Sequence, residues 1–232
     1  MERRIVDSLK ECERAIIIGH SFPRRAKTLC LKRKKINLNL EKTLISWVSH
    51  IFGKKISTVL DLEKWFKEFH YFFKEHDFVI MEIGSNDLLT KEYYGKPLEL
   101  ADKIMELAIL ARVLGAKRVV ISKILFRSGE MAIPRDANLG RGKTVKQHEK
   151  FYNKTVLEVN QKLHHDLRVC GSGLFMNYQE GLVKGWRSKL CDGVHLTDEA
   201  YETYLANLKS ILIKLSKWLM FEPNPPGLIN SV

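Results

Sequence analysis

The sequence contains no long hydrophobic run; nothing in it approaches the roughly 18 consecutive apolar residues that a membrane-spanning helix requires. Its first residues, Met1 to Glu13, are charged and lack the unbroken apolar core of a secretory leader, so the expected location is cytoplasmic. Cysteine is scarce. Cys12, Cys30, Cys170 and Cys191 form no C-x-x-C pair and no spacing with histidine that suits zinc, which leaves reduced thiols and no metal as the expectation. Proline is sparse as well, and three of the six residues crowd beyond Glu222. Residues 1–13 are therefore read as an N-terminal extension, 14–220 as one domain, and 221–232 as a proline-rich tail. At 232 residues, one α/β domain can bury a core without metals or disulfides.

Negative charge is also in short supply, for the formal net charge is +12. Much of the excess lies in one stretch read as a loop, comprising Arg24, Arg25, Lys27, Lys32, Arg33, Lys34 and Lys35. Such a cluster can neutralise phosphates on nucleic acid or on an anionic membrane surface, or it can be simply solvated.

Apolar periodicity sets the order of elements. Ala15 to Ile18 is a short apolar run ending at Gly19, the pattern of a buried strand followed by a tight turn. A second strand is expected within Leu44 to Thr58, interrupted by Gly53. Leu60, Trp65, Phe66, Phe69 and Phe73 recur at helical spacing, and Phe78 to Ile83 is another strand. A helix opens at Pro97 and closes at Gly115, followed by a strand at Val119 to Ile124. A long helix is expected from Val145 to about Leu167, then a strand near Leu174 to Met176. The last helix is capped by Thr197. Alternating strands and helices point to a parallel sheet covered on both faces, with the ligand crevice beyond the carboxyl ends of its strands.

Three short segments fall at those ends or just before the last helix: Gly19-His20-Ser21, Gly84-Ser85-Asn86-Asp87 and Asp192-Gly193-Val194-His195. A serine hydroxyl needs a base to become nucleophilic, and His195 can take its proton while Asp192, three residues earlier, holds the imidazole. Asn86 can donate to a developing oxyanion, with the Ser21 amide beside it. Each residue also has a plain structural reading: Ser21 as a helix cap, Asp192-Gly193 as a turn, His195 as a surface residue.

Together the three blocks resemble the SGNH, or GDSL-like, hydrolases over about Arg14 to Trp218. The resemblance implies a flavodoxin-like three-layer α/β/α sandwich and a serine esterase that works through an acyl-enzyme without a cofactor. It implies Ser21 as nucleophile, Asn86 as oxyanion donor, and Asp192 with His195 as the dyad. His20 stands where that family usually has aspartate, and Pro23 replaces the second glycine of a G-x-S-x-G elbow. The family's second block supplies a glycine amide to the oxyanion hole; here Gly53 and Ser57 are the nearest candidates.

The form Gly19-His20-Ser21-Phe22-Pro23-Arg24-Arg25 is similar to SGNH-like domains of animal mobile elements and of the germ-plasm protein Oskar, where the domain binds RNA. Two functions are thus expected in competition: hydrolysis of an ester, which Arg24 and Arg25 would allow to be anionic, or RNA binding beside an idle site. Trp186, in an irregular stretch before Asp192, is expected to line the substrate pocket, whereas Trp47, Trp65 and Trp218 are expected in the core.

Overall fold

The computed structural model describes residues 13–34, 38–40, 43–51, 54–74, 78–170 and 173–219. Most of the N-terminal extension, the proline-rich tail, Lys35 and Gly53 lie outside these residues, as does the side chain of Trp218.

Five parallel strands form the central sheet: β1 (Glu13–Gly19), β2 (Thr43–Val48), β5 (Phe78–Glu82), β6 (Arg118–Ser122) and β7 (Leu174–Asn177), in the order β2-β1-β5-β6-β7. With the short antiparallel pair β3 (His50–Ile51) and β4 (Lys54–Lys55) set aside, this is the flavodoxin-like order, whose direction reverses between β1 and β5. Continuous apolar runs such as Ala15-Ile-Ile-Ile18 are required here, because helices cover both faces of the strands.

Side chains alternate between two cores. Ile16, Ile18, Val79, Met81, Val119 and Ile121 point to one face, where α2 (Val59–Glu68), α3 (Tyr71–Lys74), α4 (Pro97–Val113) and α5 (Val145–Cys170) pack. Ala15, Ile17, Phe78, Ile80 and Val120 point to the other, against α1 (Ser21–Lys32) and α6 (Asp198–Leu219). Trp65 is core as expected, but Trp47 sits on the edge strand and is only half-buried.

Two local outcomes differ from the sequence expectation. The aromatic series after Leu60 is divided, since Phe69 caps α2 and Tyr71 starts α3. The basic stretch expected as a loop is instead helix α1 as far as Lys32. Phe22, Ala26, Leu29 and Cys30 recur at helical spacing and bury one side of it, while Pro23 fits the first turn, where no backbone donor is needed.

Candidate active site

Ser21 is the first residue of α1, directly beyond β1, so its amide belongs to the helix first turn and has no intrahelical acceptor. Gly19 makes this entry possible: a Cβ there would lie 2.1 Å from the Glu82 carbonyl oxygen. That close approach lets the His20 amide reach the same carbonyl at 3.4 Å, fastening the turn to the end of β5.

The Asp192–His195 loop is closed by its own backbone. Cys191 N–H donates to the His195 carbonyl at 2.8 Å, and Thr197 N–H to the Lys189 carbonyl at 2.8 Å. Gly193, at φ 84°, turns the chain tightly against Ser128, whose amide donates to the Gly193 carbonyl at 2.8 Å. A Cβ on Gly193 would meet Ser128 O at 2.7 Å. Within the loop, Asp192 Oδ1 accepts from the amides of Val194 (3.1 Å) and His195 (2.7 Å), and Oδ2 lies 2.7 Å from His195 Nδ1.

Loop and helix meet where His195 Nε2 lies 3.0 Å from Ser21 Oγ. Partial burial works against ionisation of Asp192, but the His195 and Val194 amides and the His195 ring outweigh it and hold its carboxyl at about 2. His195 is shifted below its ordinary value, chiefly by desolvation and further by Arg25 and Arg127, with Asp192 opposing. At neutral pH the pair is therefore a carboxylate and a neutral imidazole, as a general base requires.

A second set of side chains lies behind Ser21. His20 is buried, and desolvation, with Arg127 and His195 adding to it, drives its pKa down to about 3. Its ring is thus neutral and carries one N–H. His195 Nδ1–H donates to Asp192, so Nε2 is bare and takes the Ser21 O–H. The oxygen of Ser21 can then only accept from His20 Nδ1, 3.4 Å away. His20 Nε2 is left to accept from Ser85 Oγ at 3.1 Å, and Ser85 Oγ in turn accepts from Arg127 Nη2 at 3.1 Å. The hydrogen bonds thus run one way, from Arg127 through Ser85, His20 and Ser21 to His195 and Asp192.

Asn86 is oriented by the same guanidinium. Arg127 Nη2 donates to its Oδ1 at 2.5 Å, and its Nδ2 donates to the Ser57 carbonyl at 3.0 Å, leaving one amide hydrogen over. Ser57 contributes that carbonyl, while its own N–H donates to Asp61 Oδ2 at 3.0 Å within the cap of α2.

Ser21, Asn86, His195 and Ser57 all line one cleft of about 480 Å³, together with Arg24 and Arg127. The other basic residues are dispersed. Arg25 Nη2 is 3.7 Å from Asp192 Oδ2, Lys32 lines a neighbouring groove, Arg33 pairs with Glu202, and Lys34 occupies a left-handed turn at φ 54°. Trp186 is not part of the cleft lining; its ring packs 5.4 Å from that of Phe126, with the Arg187 guanidinium 4.5 Å from its centre. Among the described residues no cluster of three or more His, Cys, Asp or Glu is arranged to hold a metal, and no helix is long and apolar enough to cross a membrane.

The sequence marked His20 only as a departure from the family's usual aspartate, and it singled out no role for Glu82, Ser85 or Arg127. A glutamate ending the apolar run Phe78-Val-Ile-Met was a readable signal for Glu82. Arg127 stands among other basic residues and offered none.

By sequence, no protein-family model and no curated protein matches the chain. By structure, it is similar to a GDSL-like lipase from Bacteroides thetaiotaomicron, at TM-score 0.62 and 16% identity over 88% of this chain and 89% of that one. It is also similar to a lipase from a goat rumen metagenome, at TM-score 0.58 and 15% identity over 85% and 96% of the two chains. A third similar structure is an acetylxylan esterase from Geobacillus stearothermophilus, at 0.51 and 14% over 86% and 94%. The fold is that of the SGNH hydrolases.

Proposed function

We propose that this chain is a serine ester hydrolase. The reading is carried by the continuous hydrogen-bonded line from Ser21 Oγ to His195 Nε2, 3.0 Å, and from His195 Nδ1 to Asp192, 2.7 Å. In the proposed reaction, Ser21 Oγ attacks the ester carbonyl as its proton passes to His195 Nε2, and Asp192 stabilises the imidazolium. The carbonyl oxygen, now negative, accepts from the Ser21 amide at the start of α1 and from the free hydrogen of Asn86 Nδ2. Collapse of the tetrahedral centre breaks the ester C–O bond, and His195 returns its proton to the departing alcohol. Water then repeats the sequence on the acyl-enzyme and releases the acid.

A fluorophosphonate probe tests the reading: it should label the protein covalently at Ser21 and leave Ser21→Ala unlabelled. Labelling that survives this substitution removes Ser21 as the nucleophile.

A second reading, RNA binding beside the site, is favoured by Arg24, Lys27 and Lys32, which are exposed on α1 and have no carboxylate partner among the described residues. Oligonucleotide affinity should then fall steeply with salt and weaken in Lys32→Glu with Lys34→Glu. Indifference to both counts against it.

A further inference from the structure

The walls of the Ser21 cleft are predominantly cationic. Arg24, Lys55, Arg127 and Arg135 line it against a single carboxylate, Glu130, and among the described residues none of the four cations forms an ion pair. Three of them, Arg24, Lys55 and Arg135, stand exposed at the rim. The fourth is different. Arg127 is only 4% exposed, and each of its hydrogen-bond acceptors is neutral: Met131 O at 3.3 Å, Ser85 Oγ at 3.1 Å and Asn86 Oδ1 at 2.5 Å. The guanidinium also lies 5.3 Å from the centre of the Tyr152 ring, and its Nε is buried without an acceptor.

An arginine keeps its charge when buried, so this group is a fixed positive source in a poorly hydrated wall. Low-dielectric walls of one sign focus the field into the space they enclose. His20 and His195 both register it, since Arg127 helps to hold each below its ordinary pKa. A neutral ester leaves the field uncompensated, whereas an anionic one gains from it over a short, poorly screened distance. The apolar part of the lining, Ile56, Leu89, Met131, Ile133 and Val194, suits a short hydrocarbon segment beside the charge. The volume of about 480 Å³ suits a metabolite-sized molecule.

We infer that the substrate is a small anionic ester, bearing a carboxylate or phosphate that sits in the cleft between Arg127 and the rim residues Lys55 and Arg135. This rests on the ester-hydrolase reading and names the class of molecule that site would take.

Two matched pairs separate the sources of charge. Para-nitrophenyl hemisuccinate against para-nitrophenyl butyrate places a carboxylate on the acyl side; acetylglycerol phosphate against acetylglycerol places a phosphate on the alcohol side. In at least one pair the charged ester should have a kcat/KM about tenfold higher at about 50 mM NaCl, and the advantage should shrink at about 500 mM. Arg135→Gln and Lys55→Gln should each reduce that ratio by about threefold, the scale of one exposed ion pair. Ratios at or below one in both pairs overturn the inference and leave the hydrolase reading standing. If no ester is turned over and no fluorophosphonate label forms, the hydrolase reading falls instead. Calorimetry of the same pairs on Ser21→Ala then decides the anion site: tighter binding of a charged member supports it, and equal binding overturns it.

Discussion

His20 and Ser21, neighbours in the chain, meet again through their side chains, with His20 Nδ1 3.4 Å from Ser21 Oγ. In the proposed reaction, a neutral imidazole that donates to Ser21 Oγ favours the alkoxide as the proton leaves for His195. Loss of one such neutral hydrogen bond costs about 1 kcal/mol, or roughly fivefold to tenfold in rate. His20→Leu should therefore lower kcat and slow fluorophosphonate labelling by that factor, with KM little changed. His20→Asn, whose side-chain N–H can occupy the Nδ1 position, should recover most of the loss. Equal defects in the two variants would assign His20 to packing alone.

Arg127 donates to Asn86 Oδ1 at 2.5 Å, and in the proposed reaction this bond orients the amide that receives the oxyanion. Asn86→Ala should reduce kcat by about a hundredfold, the value of one oxyanion donor at roughly 3 kcal/mol. Arg127→Gln, assayed on a neutral ester, should cost about tenfold by releasing the amide. The double variant should be scarcely slower than Asn86→Ala, because an orienting group has nothing left to orient. Multiplicative losses would show that the two act separately.

The acid side of the pH profile follows from His195. A general base works when neutral, so activity should fall as pH drops through its pKa, and desolvation sets that midpoint below the ordinary 6.5 of histidine. Arg25 also lowers it, while pairing with Asp192 at 3.7 Å. Arg25→Gln should shift the midpoint of kcat/KM upward. A downward shift would contradict the assignment.

The layers of the fold were legible because their cause is local. Ala15-Ile-Ile-Ile18, stopping at Gly19, suits a strand covered on both sides, and Thr197, whose hydroxyl accepts from the Ala200 amide at 3.2 Å, announces α6. Ser21, Asn86 and His195 were legible for a related reason: each follows a glycine turn at a strand end or precedes a capped helix. What could not be read was set by contacts between distant segments. Arg127 reaches Asn86 across 41 positions, and Ser57 was assigned an amide that Asp61 takes up through a helix cap. Charge density hid the helical character of Arg24 to Lys32, since its buried face rests on only a few apolar residues.

Glu82 links the site to stability. It is buried beneath the Ser21 turn, where Ser122 Oγ and Gln179 Nε2 donate to it, and desolvation raises its pKa from 4.5 to about 7 despite those bonds. The folded state thus holds a proton that the unfolded chain releases. The associated stability is fully present below pH 4.5 and is lost as pH rises to about 7. Glu82→Gln cannot ionise, so its stability relative to the parent should increase by about 3 kcal/mol across that interval. Denaturant melts at the two ends of the range measure this; a constant difference would mean that Glu82 is already ionised when folded.

The loop from Lys189 to Thr197 is fastened to itself by two backbone hydrogen bonds, and its aspartate and histidine are joined inside that clasp. Ser21, the proposed nucleophile, is delivered separately, by a helix far from that loop in the sequence. A single exchange at position 21 would therefore silence the proposed chemistry while the clasp, the sandwich and the charged cleft persist. In a protein built this way, giving up a reaction and keeping a surface are one mutation apart.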